Sequence, residues 1–360
     1  MRLLIMTQKV DREDSVLGFF HQWIEKLAEK FDVVNVVCLE KGQYSLPANV
    51  EVFSLGKENV SKSCERRILT RKNNLSRIRY LFRFFKYVWR LRNDYDAVFV
   101  HMNPIYIVLA GIFWKIRKKK VFLWYNHQFG TLITRIGIAL ADKVFYTSPF
   151  SFTSNFKKSK IMPAGIDTDM FSPKLKSKSS KLKNSILYLG RISSIKNLDV
   201  LIKATRLLDN QGKDFVLNIV GDAKDEDERY FQKIKKLSQE LVAKNKIKFW
   251  GNVPNYQTPE IYNQAGLFVN LTNSGSLDKT TLEAMACETL TLVSNKSFKE
   301  VLPDFLIFNE RDVQDLKNKI INIFNMTQEE KEILAKKLRS YVCQNHSLDD
   351  LIEKIVEATT

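Results

Sequence analysis

The chain has 360 residues, 44% of them hydrophobic, with 57 basic and 40 acidic side chains and a net charge of +17. That length exceeds one typical domain and carries enough apolar material for two ordinary cores. Four widely spaced cysteines (Cys38, Cys64, Cys287 and Cys343) and four histidines argue against a disulfide framework or a zinc site, and read as reduced thiols in a cytoplasmic protein.

The charge is unevenly placed. Residues 1–172 hold 28 basic and 15 acidic side chains, residues 173–184 add five lysines, and the remainder is near neutral. One half is therefore suited to polyanions or an anionic surface, and the other is not.

The opening MRLLIMTQKV has too short an apolar run for a signal peptide and reads as a first core strand, LLIMT at 3–7. A helix from about Val16 to Phe31 follows, then strands at 33–39 and 97–102, an apolar helix from Ile105 to Ile116, and a strand at 120–125. A helix near Leu132–Ala141, a strand at 143–148 and a short strand at Ile161–Met162 complete this series. No apolar stretch is long enough to cross a bilayer. A second series starts with a strand at 185–190 and a helix from Leu198 to Leu208. It continues with strands at 215–221, 247–251, 265–271 and 289–295, and helices over about 226–242 and 280–286. Near-continuous apolar strands alternating with helices predict two doubly wound parallel α/β domains.

The predicted boundaries are a first domain over 1–172, a Lys/Ser-rich linker over 173–184 and a second domain over 185–340. Between Ser61 and Arg92 there are eleven basic residues and one acid. On a helix, Ile78, Leu81, Phe82, Phe85 and Trp89 share one face, which reads as the side covering a core, while Arg79, Arg83, Lys86 and Arg90 line another. Together with Arg66, Arg67, Arg71 and Lys72, that basic face predicts docking on an anionic membrane surface.

Two constellations in the second half carry chemistry. In LYLGRISSIKN, the strand ends at Gly190, where the backbone is open to a ligand. Arg191 can fork onto phosphate oxygens and Lys196 can add a second charge. In GSLDKTTLEAMACE, Gly275, Ser276, Leu277 and Asp278 lie between a buried strand and a helix, where open α/β sheets bind ligands and backbone amides hold anions. Glu283 sits one turn into an apolar helix and needs partners; ribose hydroxyls and a neighbouring lysine or amide are the alternatives.

These motifs resemble the retaining nucleotide-sugar-dependent glycosyltransferases of family 4, glycosyl transferases group 1, which have the GT-B fold. Gly190-Arg191 with Lys196 matches the family's G-R-x4-K loop, Gly251–Pro254 its G-x-V-P segment, and Glu283–Ala286 the end of its E-x7-E motif. The resemblance implies two facing Rossmann-like domains with an interdomain cleft, and a last helix within 341–360 crossing back to the first domain. It implies that Arg191 and Lys196 bind the donor diphosphate, that Glu283 holds the ribose, and that Val253 lies by the base. One departure stands out: Gly275 occupies the place of the family's first glutamate. Asp278 is the candidate substitute carboxylate, with a helix N-cap as its other reading.

In the first half, Gly18 is the candidate for the family's glycine loop toward the donor phosphates, with a plain helix start as the alternative. His127, beside Gly130 at a predicted strand end, resembles the family histidine on the acceptor side; His101 is its competitor, and His21 reads as structural. Asp167 and Phe171 match a boundary segment. The implied reaction is retaining transfer of a sugar from a UDP- or GDP-linked donor to an acceptor hydroxyl, through front-face displacement. Arg191, Lys196, Glu283 and His127 are its expected active groups, with no metal or other cofactor required. The expected setting is peripheral, on the inner face of the plasma membrane, with a lipid-linked sugar or cell-surface glycan as acceptor. A catalytically silent membrane-associated scaffold is the alternative, and a nucleic-acid-binding protein a weaker one, since no recognition module is visible.

Overall fold

The computed structural model describes residues 1–58, 69–174, 184–275 and 277–359, without the side chains of 69–75. The chain forms two compact units: Met1–Met162 together with the segment from Asp349, and Pro163–Leu348.

The first unit contains β1 (Arg2–Val10), α1 (Phe19–Ala28), β2 (Val33–Lys41), β3 (Val50–Ser54) and α2 (Leu69–Arg90). These are followed by β4 (Ala97–His101), α3 (Ile105–Ile116), β5 (Lys120–Trp124), α4 (Leu132–Leu140), β6 (Lys143–Tyr146) and β7 (Ser159–Ile161). The sheet runs β3-β2-β1-β4-β5-β6-β7 with every pair parallel. β4 is buried along its whole length, which is why AVFVH is apolar at successive positions rather than alternate ones. β3 was not anticipated from sequence: it is a partly exposed edge strand, where apolar content is low.

α2 departs from expectation. Its buried side is Phe84 and Val88, with Leu91 just beyond, whereas Ile78, Phe82 and Trp89 of the expected core face are 64%, 70% and 62% exposed. Apolar residues at helical spacing occur on both sides of this helix. The contacts of Phe84 with Tyr106 on α3 and of Tyr87 with Phe53 on β3 decide which side is buried. Arg66 and Arg67 fall outside the described residues, and Arg71 and Lys72 outside the described side chains.

The second unit contains β8 (Ser185–Leu189), α5 (Leu198–Asn210), β9 (Val216–Val220), α6 (Glu228–Ala243) and β10 (Ile247–Gly251). It continues with α7 (Thr258–Gln264), β11 (Leu267–Asn270), α8 (Lys279–Ala286), β12 (Leu290–Val293), α9 (Val313–Asn325) and α10 (Gln328–Asn345). The parallel sheet has the order β10-β9-β8-β11-β12. The units divide at Met162, ten residues before the expected end of the first domain. Ala164 N bonds the His346 ring at 3.3 Å and Ile166 pairs with Ser347, so AGIDTDMF belongs to the second unit. Residues 341–348 stay with that unit for the same reason. The last helix, α11 (Leu348–Thr359), lies on the first unit from Asp349 onward. Lys120 and Lys143 donate to its final carbonyls, of Thr359 at 3.1 Å and Ala358 at 3.2 Å, where a helix end attracts cations. Of the expected linker, 175–183 lie outside the described residues.

Candidate functional site

In the second sheet β8 stands between β9 and β11, so the chain leaves β8 toward one side and β11 toward the other. Ligands of open parallel sheets bind beyond the carboxyl ends of strands at such a reversal. The loop after β8 carries Gly190, Arg191 and Lys196, and the loop after β11 carries 271–278. Gly221 keeps this rim tight: its φ is +125°, and a Cβ there would lie 2.1 Å from the Gly190 carbonyl oxygen. Only glycine fits. The sequence reading missed Gly221, because the clash partner is 31 residues away.

A short turn at Ser194–Lys196 ends in Asn197 with φ +50°. The Asn197 side chain donates to Leu271 O at 3.1 Å and to Asn273 Oδ1 at 2.9 Å, tying the two loops together. This brings Lys196 to Asp278: Nζ lies 2.7 Å from Oδ2 and 2.9 Å from Thr272 Oγ1. Asn270 and Thr272 also donate to Asp278 Oδ2, at 3.1 and 2.8 Å, and Thr280 to Oδ1 at 3.1 Å. Burial alone would raise the Asp278 pKa, but the Lys196 charge and these donors hold it well below the usual carboxylate range. Asp278 stands at the N-cap position of α8, yet its side chain makes no cap bond to the helix amides. Its carboxylate is turned to Lys196 instead.

Arg191 is less committed. Its nearest carboxylates, Glu226 and Asp227, are both 3.8 Å away. Gly275 is buried, Leu277 is half-buried against the core of the unit, and Ser276 lies outside the described residues. Glu310, a residue not anticipated, accepts from the Ser274 amide at 2.8 Å and its hydroxyl at 2.7 Å, placing a carboxylate beside Gly275. Val253 is half-buried with Trp250, Tyr256 and Asn218 around a pocket of about 910 Å³.

Glu283 is 3% exposed, and each of its oxygens has a donor: Asn255 Nδ2 at 3.1 Å and Tyr262 OH at 3.1 Å. Lys279, one turn earlier, donates to the carbonyls of Ala164 and Gly165. Desolvation pulls the Lys279 amine down against the opposing charge of Glu283, and burial raises the Glu283 carboxyl. Asn255 and Tyr262 therefore satisfy the Glu283 carboxylate within the chain, which is the alternative to ribose hydroxyls. Among the described residues no cluster of three His, Cys, Asp or Glu side chains could hold a metal ion.

In the first unit the Gly18 amide donates to Asp14 O at 2.9 Å, and its φ of −57° is ordinary helix. The Asp14 side chain caps the amides of Val16 and Leu17 at 2.8 and 2.7 Å and pairs with Lys9 at 2.8 Å. Gly18 is thus spent on a helix start. His127 lies exposed after β5, with its ring 5.2 Å from that of Tyr125, and desolvation lowers its pKa. His101 is buried, stacked 4.0 Å from Phe20 and 3.3 Å from Thr7 Oγ1; His21 is buried beside Glu25. Both are packing residues.

The family pattern described as glycosyl transferases group 1 matches residues 172–354. Mannosylfructose-phosphate synthase of Agrobacterium fabrum is 28% identical over 144 residues, a stretch covering 37% of this chain and 32% of that relative. Anabaena Alr3699/HepE, solved with UDP and glucose, superposes with a TM-score of 0.76 at 16% identity, covering 99% of both chains. Sucrose-phosphate synthase from Thermosynechococcus elongatus gives a TM-score of 0.75 at 16% identity, covering 99% of this chain and 98% of the other. The whole-chain likeness establishes the GT-B fold, and with the matched pattern spanning more than half of its residues this chain belongs to the glycosyl transferases group 1 family.

Proposed function

We propose that the protein transfers a glycosyl group, with retention, from a UDP- or GDP-linked sugar to the hydroxyl of a lipid-linked sugar or cell-surface glycan. The observation that carries this reading is that the one loop leaving the carboxyl end of β8 carries both Arg191 and Lys196, with Lys196 reaching the β11 loop at Asp278. In the proposed step the bond from the anomeric carbon to the donor phosphate breaks and one to the acceptor oxygen forms on the same face. The acceptor proton passes to the departing phosphate oxygen. Arg191 and Lys196 stabilise the charge growing on that phosphate, with the backbone around Gly275–Asp278. Glu283 is assigned to the ribose, Val253 to the base, and His127 to orienting the acceptor. The basic first unit holds the enzyme at the cytoplasmic face of an anionic membrane, where such an acceptor resides.

A screen of nucleotide sugars by donor hydrolysis and thermal shift tests the class. UDP sugars come first because a structural relative was solved with UDP. Arg191→Ala is expected to weaken nucleoside diphosphate binding by roughly 1.5–3 kcal/mol, the worth of a charge-assisted hydrogen bond. Its stability should hardly change, since its ion pairs are long. Unchanged binding by calorimetry would misplace the donor site. With two protein cations assigned to the diphosphate, activity should survive thorough chelation; loss that magnesium or manganese restores would overturn that assignment.

One observation favours a second reading, a catalytically silent scaffold of the same fold. Lys196 already has a carboxylate partner, and Gly275 lacks one to offer. No transfer and no hydrolysis with any donor would select it.

A further inference from the structure

We propose that the outer face of the α2–α3 layer is a membrane-insertion surface, on which aromatic and aliphatic side chains enter the acyl boundary of an anionic bilayer. It takes the membrane contact proposed above further, from charge to insertion, and does not depend on the donor chemistry.

The two helices form one layer over the first sheet. Phe84 of α2 stacks on Tyr106 of α3, and Phe84, Val88, Tyr106 and Trp114 share one buried cluster. With the inner sides buried, the outer sides retain large apolar groups. Phe82, Phe85 and Trp89 on α2 are 70%, 45% and 62% exposed, and Ile112 and Ile116 on α3 are 64% and 76% exposed. The two outer sides adjoin, for the Trp89 ring on α2 lies 6.0 Å from that of Phe113 on α3, between Ile112 and Ile116 in the chain. Single exposed apolar residues need no explanation, but an array across two adjacent helices does.

Charge identifies the occupant. No acidic residue occurs from Arg66 through Asn93 or from Ala97 through Ala141. The cations sit beside the apolar groups: Arg79, Lys86 and Arg90 are exposed on α2, Lys115 on α3, and Arg92 lies 4.7 Å over the Trp89 ring. An apolar face rimmed by cations, with no acid among the described residues of its two helices, is what lies in the interface of an anionic membrane. A second copy on the same face would bring like charges together. Among the described residues no helix is long and apolar enough to span, so the contact is a surface one.

The test is co-sedimentation of the full chain with vesicles of phosphatidylcholine alone and of equal parts phosphatidylcholine and phosphatidylglycerol. The wild type should bind only the anionic vesicles, and raising salt should weaken this without abolishing it. The variant Phe82→Gln/Trp89→Gln/Ile116→Gln keeps every cation and touches only exposed positions. It should bind at least about tenfold more weakly, with nucleoside diphosphate thermal shift unchanged. In a parallel measurement, brominated phosphatidylglycerol should quench wild-type emission and lose most of that effect in Trp89→Phe. Wild-type binding to anionic vesicles matched by the triple variant would leave electrostatic docking standing and overturn insertion. Absence of vesicle binding overturns both. Concentration-dependent self-association that the triple variant abolishes, without vesicle binding, would make a second copy the occupant.

Discussion

Lys196→Ala is expected to abolish useful nucleoside diphosphate binding and to lower the stability of the second unit at the same time. The first effect follows from the proposed phosphate contact, worth roughly ten- to a hundredfold in affinity. The second follows from the geometry: removing the amine leaves the Asp278 carboxylate, 15% exposed, with only the neutral donors Asn270, Thr272 and Thr280 and without its 2.7 Å cation. Stranding one member of a buried pair costs about 3–5 kcal/mol, and the partial exposure of Lys196 places the loss at the lower end. The double variant Lys196→Ala/Asp278→Asn separates the two roles. It should recover most of the melting temperature while nucleotide binding stays lost. If binding returned with stability, Lys196 would be a structural lysine only.

The same pair predicts a pH signature. The folded pKa of Asp278 lies below its ordinary value, so its stabilisation is present above the unfolded carboxylate pKa and drains as pH falls toward the folded one. Asp278→Asn should flatten that acid limb. It should also leave nucleoside diphosphate binding intact or tighter, because phosphate then meets no rival for Lys196. Weakened binding in this variant would mean that Asp278 supports the ligand rather than competing with it.

The second large effect is expected at Glu283. Glu283→Ala removes the acceptor for Asn255 and Tyr262 and the charge that opposes desolvation of Lys279. A loss of about 3–5 kcal/mol by denaturant unfolding is expected, enough to make ligand binding in that variant uninformative about ribose. Glu283→Gln keeps the size and one acceptor, and should cost far less. It is therefore the variant in which the ribose assignment is tested: nucleoside diphosphate binding should fall while pyrophosphate binding is retained. Equal retention of both would leave Glu283 as an internal anchor between α8, Asn255 and α7.

Much of this was legible in the sequence. Apolar runs such as AVFV and VFLW marked the strand positions, because a parallel strand covered on both faces has no room for polar alternation. Gly190, Arg191, Lys196 and Glu283 were candidates by position, since ligands gather where strands end and helices begin, and the structure places the first three in the loop after β8 and Glu283 within α8. What sequence left open was each side chain's partner. Lys196 and Asp278 are 82 residues apart, and only the adjacency of β8 and β11 brings them within 2.7 Å. Gly221 answers to the Gly190 carbonyl 31 residues earlier as well as to its own φ, and Glu310 reaches Ser274 from 36 residues away. On α2 the periodicity was satisfied twice over, so it could not say which apolar stripe is buried. The sheet and α3 chose Phe84 and Val88, and left Phe82 and Trp89 to the solvent. Local pattern sets which elements form, because it acts within one turn or one pleat. Pairing and burial are set by neighbours distant in the chain, and those exist only once the fold does.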